Sequence, residues 1–195
     1  MKPKNISKYY YHEYVLITFL LLAISGLFAI FALDFTPTLQ VKIGAFIVST
    51  LIYLVILIYF YILYRQEEWV IPRTWKNAHN KPKFYFLFLL PLFAILILYP
   101  NIMFYPPLLH TMIFGQPTVV TINTTAVKKH GKKGSIYYSF KTPYDTSRIF
   151  RLNSIEYENY KNQFLHMKLS IIQGRFGTYI QNIESIQTLK TIQNK

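Results

Sequence analysis

Three long apolar blocks dominate the first half of the chain. They cover residues 14–33, 43–64 and 84–105, and none of them contains an Asp, Glu, Lys, Arg or His. Each block holds at least twenty residues, enough to cross a hydrocarbon core of about 30 Å as a helix. A chain of 195 residues cannot enclose three helices that are apolar on every side. The pattern therefore predicts three transmembrane helices.

The pattern changes near residue 117, where apolar and polar positions begin to alternate. Alternation of β-branched and aromatic residues with polar ones is typical of strands that bury one face. Asn153 precedes Glu156 by three residues, which is the spacing of a helix-capping pair, so a short helix is expected there. We expect five or six strands, the first two joined as a hairpin. They cover residues 118–129, 135–142, 147–152, 164–173 and 179–183, with 184–190 as a terminal strand or helix.

The distribution of lysine and arginine predicts the orientation of the helices. Residues 65–83 carry five cations and two acids, the chain before the first block carries three lysines, and residues 34–42 have no net charge. Because cytoplasmic loops are enriched in Lys and Arg, the amino terminus and residues 65–83 are expected in the cytoplasm. The expected organisation is a membrane domain over 1–105, an interfacial connector over 106–116 and an extracytoplasmic β domain over 117–195.

The predicted fold class follows from these patterns. It is membrane α + β, with three transmembrane helices followed by a small extracytoplasmic β-barrel or sandwich that includes one short helix. The amino terminus is expected on the cytoplasmic side of a membrane and the β domain on the other side.

The net charge of +13 suggests an acidic partner. Residues 127–141 hold six basic side chains and three aromatic ones, a composition that also suits nucleic acid. An extracytoplasmic position removes nucleic acid as a partner, so the hairpin is expected to be a solvated tip or a patch for anionic lipid or an acidic protein. The candidate binding residues are Lys128, Lys129, Lys132, Lys133 and Tyr137.

Three features of the apolar blocks bear on helix packing and on membrane position. Small residues four apart allow two helices to approach closely, and aromatic residues at block ends are typical of membrane-interface anchors. Pro100 predicts a bent third helix that ends nearby. The candidate packing residues are Ser25, Ala29, Ala45 and Ser49, and the candidate anchors are Tyr10, Tyr14, Trp69 and Trp75.

Catalytic and metal-binding motifs are not found in the sequence. The chain has no cysteine, and His110, His130 and His166 lack the spacing of a ligand pair. There is also no phosphate-binding glycine loop and no nucleophile elbow. These observations predict a protein that is not an enzyme and that uses no cofactor or metal.

Residues 117–183 combine a Tyr-rich strand, a short helix and a closing strand with Gly174 and Gly177 around its turn. With three preceding spans, this pattern resembles small uncharacterised bacterial inner-membrane proteins that carry an extracytoplasmic β domain, some of immunity-protein type. The resemblance implies that the motifs are structural rather than catalytic. It also implies a multi-pass location in the bacterial cytoplasmic (inner) membrane, with the amino terminus inside and the β domain outside.

The function expected from these observations is non-catalytic binding. The outer β domain would engage a protein partner, in the narrowest form an acidic toxin that acts at the envelope, and the spans would contact the lipid bilayer. Two alternatives stay open. One is an accessory subunit of a larger bacterial membrane complex, and the other is a sensor or enzyme whose site is not recognisable in sequence.

Overall fold

The computed structural model describes residues 11–69, 71, 75–130, 135–144 and 148–191. The helices are α1 Tyr11–Ala32, α2 Leu39–Arg65, α3 Lys76–Asn80, α4 Pro82–Phe114 and α5 Ser154–Tyr160. The strands are β1 Phe35–Pro37, β2 Gln116–Thr124, β3 Ala126–His130, β4 Ile136–Phe140, β5 Arg151–Leu152, β6 Gln163–Gly174 and β7 Gly177–Thr191. They divide into a helical unit, Met1–Ala29 with Lys42–Met103, and a β unit, Ile30–Val41 with Phe104–Lys195.

The prediction of three long apolar helices is confirmed. Helices α1, α2 and α4 are each long and apolar enough to cross a membrane. Helices α2 and α4 extend beyond their apolar blocks at both ends, whereas α1 begins three residues before its block and ends one residue short of it.

The predicted end of the third helix near Pro100 is wrong. Helix α4 continues through Pro100 and through residues 106–114, which were interpreted as part of a connector. A proline removes one backbone donor, and membrane helices tolerate this loss where neighbouring groups satisfy the freed carbonyl. The helix ends instead at Phe114, and the N–H of the next residue, Gly115, donates to the Thr111 carbonyl at 2.8 Å.

A buried amide in the helical unit lies between α1 and α4. The Asn101 side-chain amide donates to the carbonyl oxygens of Leu22 on α1 and Ile97 on α4, each at 2.8 Å. Gly26 makes room for this amide, because a Cβ at that position would lie 2.9 Å from Asn101 Nδ2 and 3.3 Å from Pro100 Cβ. The contact therefore requires a glycine opposite the asparagine.

The β unit contains two antiparallel sheets, with strand orders β1-β7-β6-β2 and β3-β4-β5. The predicted hairpin is confirmed only for β3 and β4, since β2 pairs with β6. The chain passes from one sheet to the other at Thr124 and Thr125. Thr124 Oγ1 donates to the Lys141 carbonyl, and Lys141 N–H donates to the Thr125 carbonyl. The expected single strand over 118–129 is therefore two strands.

One face of β6 forms the centre of the core, as the alternation of apolar and polar residues predicts. The pattern places four apolar side chains on one face, and all four are fully buried. They are Leu165, Met167, Leu169 and Ile171, and they pack with Phe140, Phe150 and Ile180. The capping prediction for α5 is also confirmed. The Glu156 N–H donates to Asn153 Oδ1 and the Asn153 N–H donates to Glu156 Oε2, both at 2.8 Å.

The connection between α1 and α2 belongs to the β unit, which the sequence analysis did not predict. Strand β1 pairs with the start of β7, with Phe35 opposite Tyr179 and Pro37 opposite Gly177. Phe35 is fully buried against Gly177, where a Cβ would overlap the Phe35 ring and lie 2.6 Å from the Thr36 carbonyl oxygen. The β unit is therefore discontinuous in sequence, unlike the separate domain expected from residue 117 onwards.

The same connection is held by hydrogen bonds on both sides of β1. The Ile180 N–H donates to the Asp34 carbonyl at 2.9 Å, and the Thr38 N–H donates to the Phe176 carbonyl at 3.0 Å. The Asp34 carboxylate accepts from the N–H groups of Arg148 and Ile149, at 2.6 and 3.3 Å. One acidic side chain thus fixes a turn more than one hundred residues away in sequence.

Replacing Gly26 by alanine is expected to weaken the helical unit. The added methyl group displaces the Asn101 amide, and interhelical hydrogen bonds in membranes contribute from about 0.6 to about 1.7 kcal/mol. Gly44→Ala is the matched control, because a Cβ at Gly44 meets nothing within 4 Å. Denaturation of the full chain in mixed micelles should show Gly26→Ala about 1–2 kcal/mol less stable than Gly44→Ala. Equal stabilities would show that the amide contact is unimportant.

Replacing Phe35 by alanine is expected to destabilise the β unit by about 3–5 kcal/mol, because a fully buried aromatic side chain leaves a cavity. Phe164→Ala is the control, since Phe164 is half exposed on β6 and its loss should cost less than about 1 kcal/mol. The midpoint of thermal unfolding, followed by the β signal in circular dichroism, measures both. Similar midpoints for the two variants would contradict a structural role for β1.

Candidate functional site

The cationic hairpin presents two different surfaces on the two sides of its sheet. In the register of β3 and β4, Lys129 lies opposite Tyr137 and Lys128 lies opposite Tyr138. Directly paired residues share a face and neighbours along a strand do not, so the two lysines point to opposite sides. The Tyr138 ring stacks on Tyr157 of α5 at 4.4 Å. Helix α5 therefore covers the Lys128 side of the sheet.

Arg151 joins the side that carries Lys129 and Tyr137. It is paired with Ser139, which lies two residues after Tyr137 on β4 and thus on the same face. Tyr137 and Arg151 are exposed and Lys129 is half-buried. We call these three residues the basic face. The sequence pattern suggested Lys129 and Tyr137, whereas Arg151 was missed because only the strand register brings it there.

The described acidic residues of the β unit are engaged in local contacts. Asp34 accepts from backbone N–H groups and Glu156 belongs to the helix-capping pair. Glu184 forms an ion pair with Lys168 at 3.0 Å, and Glu158 forms one with Lys161. The hydrogen bond to the Glu158 carboxylate raises the pKa of Lys161. Each of these four acids therefore has a contact within the described part of the β unit.

Two of the histidines considered in the sequence have contacts within the β unit. His166 Nδ1 lies 2.9 Å from Asn123 Oδ1, and the His110 ring packs against Phe176 at 4.6 Å. Among the described residues, no group of three or more histidines and acids could hold a metal ion. Lys132, Lys133 and Tyr10 lie outside the described residues.

Three of the four small residues proposed for helix packing are buried within the helical unit. Ala29, Ala45 and Ser49 have almost no exposed surface. The hydroxyl group of Ser49 donates to the Ala45 carbonyl at 2.6 Å, which satisfies it within its own helix. Ser25 is half-buried.

Trp69 differs from the expected membrane-interface anchor. Its side chain is only 3% exposed and packs edge-on against Phe60 at 4.9 Å and Phe86 at 6.2 Å. It lies among apolar side chains because the chain returns towards α2 after Arg65, with the Trp69 N–H donating to the Leu63 carbonyl. Tyr14 is 70% exposed, and its placement at an interface stays a prediction.

An apolar cavity of about 190 Å³ lies in the helical unit next to Trp69. Its wall combines aromatic and aliphatic side chains from α1, α2 and α4 with both tryptophans, and it was not predicted because these residues are far apart in sequence. The Tyr53 hydroxyl at the wall donates to the Phe86 carbonyl. Trp69 Nε1 and His12 Nδ1 are buried without a hydrogen-bond partner among the described residues. The His12 ring contacts Trp75 edge-on at 5.5 Å.

The chain thus offers a basic protein surface and an apolar cavity, and both are suited to binding. Comparisons with protein-family models, curated proteins and solved structures find no match. Evidence on function therefore comes from the geometry of the basic face and of the apolar cavity.

Proposed function

We propose that this chain is a non-catalytic integral membrane binding protein whose β unit engages a protein partner through the basic face. The observation that carries the proposal is the juxtaposition of Lys129, Tyr137 and Arg151 on one side of the three-stranded sheet. Tyr and Arg are the residue types most enriched in the energetic centres of protein interfaces.

The proposed partner is acidic. Twelve lysines and arginines but only four acids follow residue 105, and the described acids of the β unit contact other groups of the same unit. A surplus of positive charge accelerates association with an acidic protein and discriminates against basic ones. Immunity-type protection against an acidic toxin that acts at the envelope is the narrowest form of this proposal.

The proposed location is the bacterial inner membrane, with the amino terminus in the cytoplasm and the β unit outside. Pairing of β1 with β7 supports crossing by both α2 and α4, since it requires the connection after α1 and the chain after α4 to lie on the same side. Charge in residues 65–83 supports the orientation. Nucleic acid is then not a partner of the basic face.

Photo-crosslinking tests the proposed interface in intact cells. A photoreactive phenylalanine analogue replaces Tyr137 in the full chain, and we expect a discrete protein adduct because this side chain is half exposed at the centre of the basic face. The same analogue at Asn159, exposed on α5, is the control and should give no such adduct. An adduct from Asn159 of the same size and yield would contradict the assigned surface.

Charge removal tests whether the basic face itself attracts the partner. Arg151→Gln should reduce the Tyr137 adduct several-fold, because truncating an interface arginine weakens association and slows encounter. Lys168→Gln is the control with the same change in net charge, since Lys168 is already paired with Glu184. Equal yields in the two variants would indicate an effect of net charge alone. Adducts obtained only from lipid-facing positions such as Phe28 or Phe46 would favour the accessory-subunit alternative.

A further inference from the structure

The turn between β6 and β7 packs against the last turns of α4. A Cβ at Gly174 would lie 2.7 Å from Thr111 Oγ1, and the Phe176 ring contacts the His110 ring at 4.6 Å. Thr111 is fully buried. The Phe176 carbonyl accepts from the N–H of Thr38, the residue before α2, at 3.0 Å. The turn is therefore fixed to the carboxyl end of α4 and to the amino end of α2.

The end of α4 has one face packed within the β unit and another face that is exposed. Phe104, Leu108 and Thr111 are buried, at the spacing of residues that share one side of a helix. Leu39, the first residue of α2, is 71% exposed. The residues of the other face of α4 are large, apolar and more than half exposed, and they are Leu109, Met112, Ile113 and Phe114. Both helix ends therefore expose apolar side chains close to the β6–β7 turn.

The uncharged part of α4 is longer than the hydrocarbon core of a membrane. The 26 residues between Lys83 and His110 include no Asp, Glu, Lys, Arg or His. As a helix they extend about 39 Å, or about 37 Å across a bilayer at an average tilt of about 20°. The core measures about 30 Å, and a bilayer with its headgroups measures about 40–45 Å. A span that begins at Lys83 therefore brings His110, and the Phe176 ring beside it, to the outer headgroup layer.

We infer that the β6–β7 turn lies on the outer surface of the membrane. Arg175 there binds the phosphate of an anionic phospholipid, and the exposed apolar side chains of the two helix ends enter the headgroup layer. Arg175 is exposed in the turn, and its guanidinium carbon lies 6.0 Å from the centre of the Phe176 ring. Guanidinium and phosphate groups form paired charge-assisted hydrogen bonds. This inference rests on the proposed membrane location and is independent of the proposed protein partner.

The surroundings of the turn favour phospholipid over a soluble protein as the occupant. The exposed apolar residues belong to helices that are long and apolar enough to cross a membrane. Along α4 no charged residue separates them from the span, because Asp, Glu, Lys and Arg are absent between Lys83 and Lys128. Apolar area beside a cationic side chain is also the combination that binds anionic lipid surfaces. The lipid surface of the span therefore continues to the turn.

Fluorescence quenching measures the position of the turn. The natural chain has no cysteine, so Gln173→Cys, exposed at the end of β6, takes one fluorescent label and leaves Arg175 in place. The full chain is reconstituted into vesicles of phosphatidylethanolamine and phosphatidylglycerol, some of which carries a nitroxide near the start of one acyl chain. We expect strong quenching, because a nitroxide quenches only on close approach.

Two further label positions separate the possible outcomes. Asn159→Cys on α5 should not be quenched, because α5 precedes the opposite end of β6, a strand about 36 Å long. Leu20→Cys, exposed within α1, reports membrane insertion through a nitroxide placed deeper in the acyl chain. Equal quenching at residues 173 and 159, with residue 20 quenched, would overturn the inference and leave the membrane location standing. Absence of quenching at residue 20 would contradict the location on which the inference rests.

Replacing Arg175 by glutamine tests the role of its guanidinium group. In the protein labelled at residue 173, the ratio of quenching by nitroxide-labelled phosphatidylglycerol to that by nitroxide-labelled phosphatidylcholine measures the preference for anionic lipid. Arg175→Gln should lower this ratio by about 2- to 5-fold, the effect of one basic residue near an anionic surface. Lys168→Gln makes the same change in net charge at a residue that is paired with Glu184, and it should leave the ratio unchanged. Equal ratios in the two variants would overturn the assignment of Arg175.

Discussion

The antiparallel pairing of β1 with β7 is the constraint on which the rest of the β unit depends. Only three residues of the connection after α1 form β1, yet the connection supplies a fully buried phenylalanine and a carboxylate that fixes the turn at Arg148. Backbone groups of a strand must find partners when they are buried. Pairing to β1 supplies those partners at the start of β7, and Gly177 leaves the space that Phe35 fills.

This pairing also limits how the chain can be placed in a membrane. A strand can pair only with a strand in the same compartment, so the connection after α1 and the chain after α4 must lie on one side. Only α2 and α4 lie between the two strands among the three long apolar helices, so the requirement is met if both of them cross and fails if only one does. The apolar patterns of α2 and α4 are an independent indication, and it agrees with the strand pairing.

Long periodic patterns allowed much of the fold to be predicted from sequence. The three apolar helices and the buried face of β6 each repeat one signal over many residues, and Asn153 with Glu156 forms a local motif whose hydrogen bonds are between neighbours. Strand β1 was not predicted because a strand of three residues is too short to show a periodic pattern. The continuation of α4 through Pro100 was not predicted, because the tendency of proline to break a helix is a local property that the tertiary structure can override.

The candidate sites depended even more on long-range geometry. Arg151 reaches Lys129 and Tyr137 only through the register of three strands. Trp69 looked like a surface anchor because tryptophan near a block end is typical of an interface, whereas contacts with Phe60 and Phe86 bury it. Partners from neighbouring strands or helices decided both outcomes, and a single sequence does not identify those partners.

Disulfide formation between two introduced cysteines tests the central constraint most directly. Thr36 and Thr178 are register partners in β1 and β7, and directly opposed residues in antiparallel strands lie at a Cα separation that a disulfide can bridge, about 4.5–5.5 Å. The natural chain contains no cysteine to interfere. Mild oxidation of the full-length Thr36→Cys/Thr178→Cys protein in isolated membranes should give a crosslinked form in high yield, while Thr36→Cys/Gln187→Cys should not. Two freely alkylated thiols in the first protein would contradict the pairing of β1 with β7 and the placement of both strands on one side of the membrane.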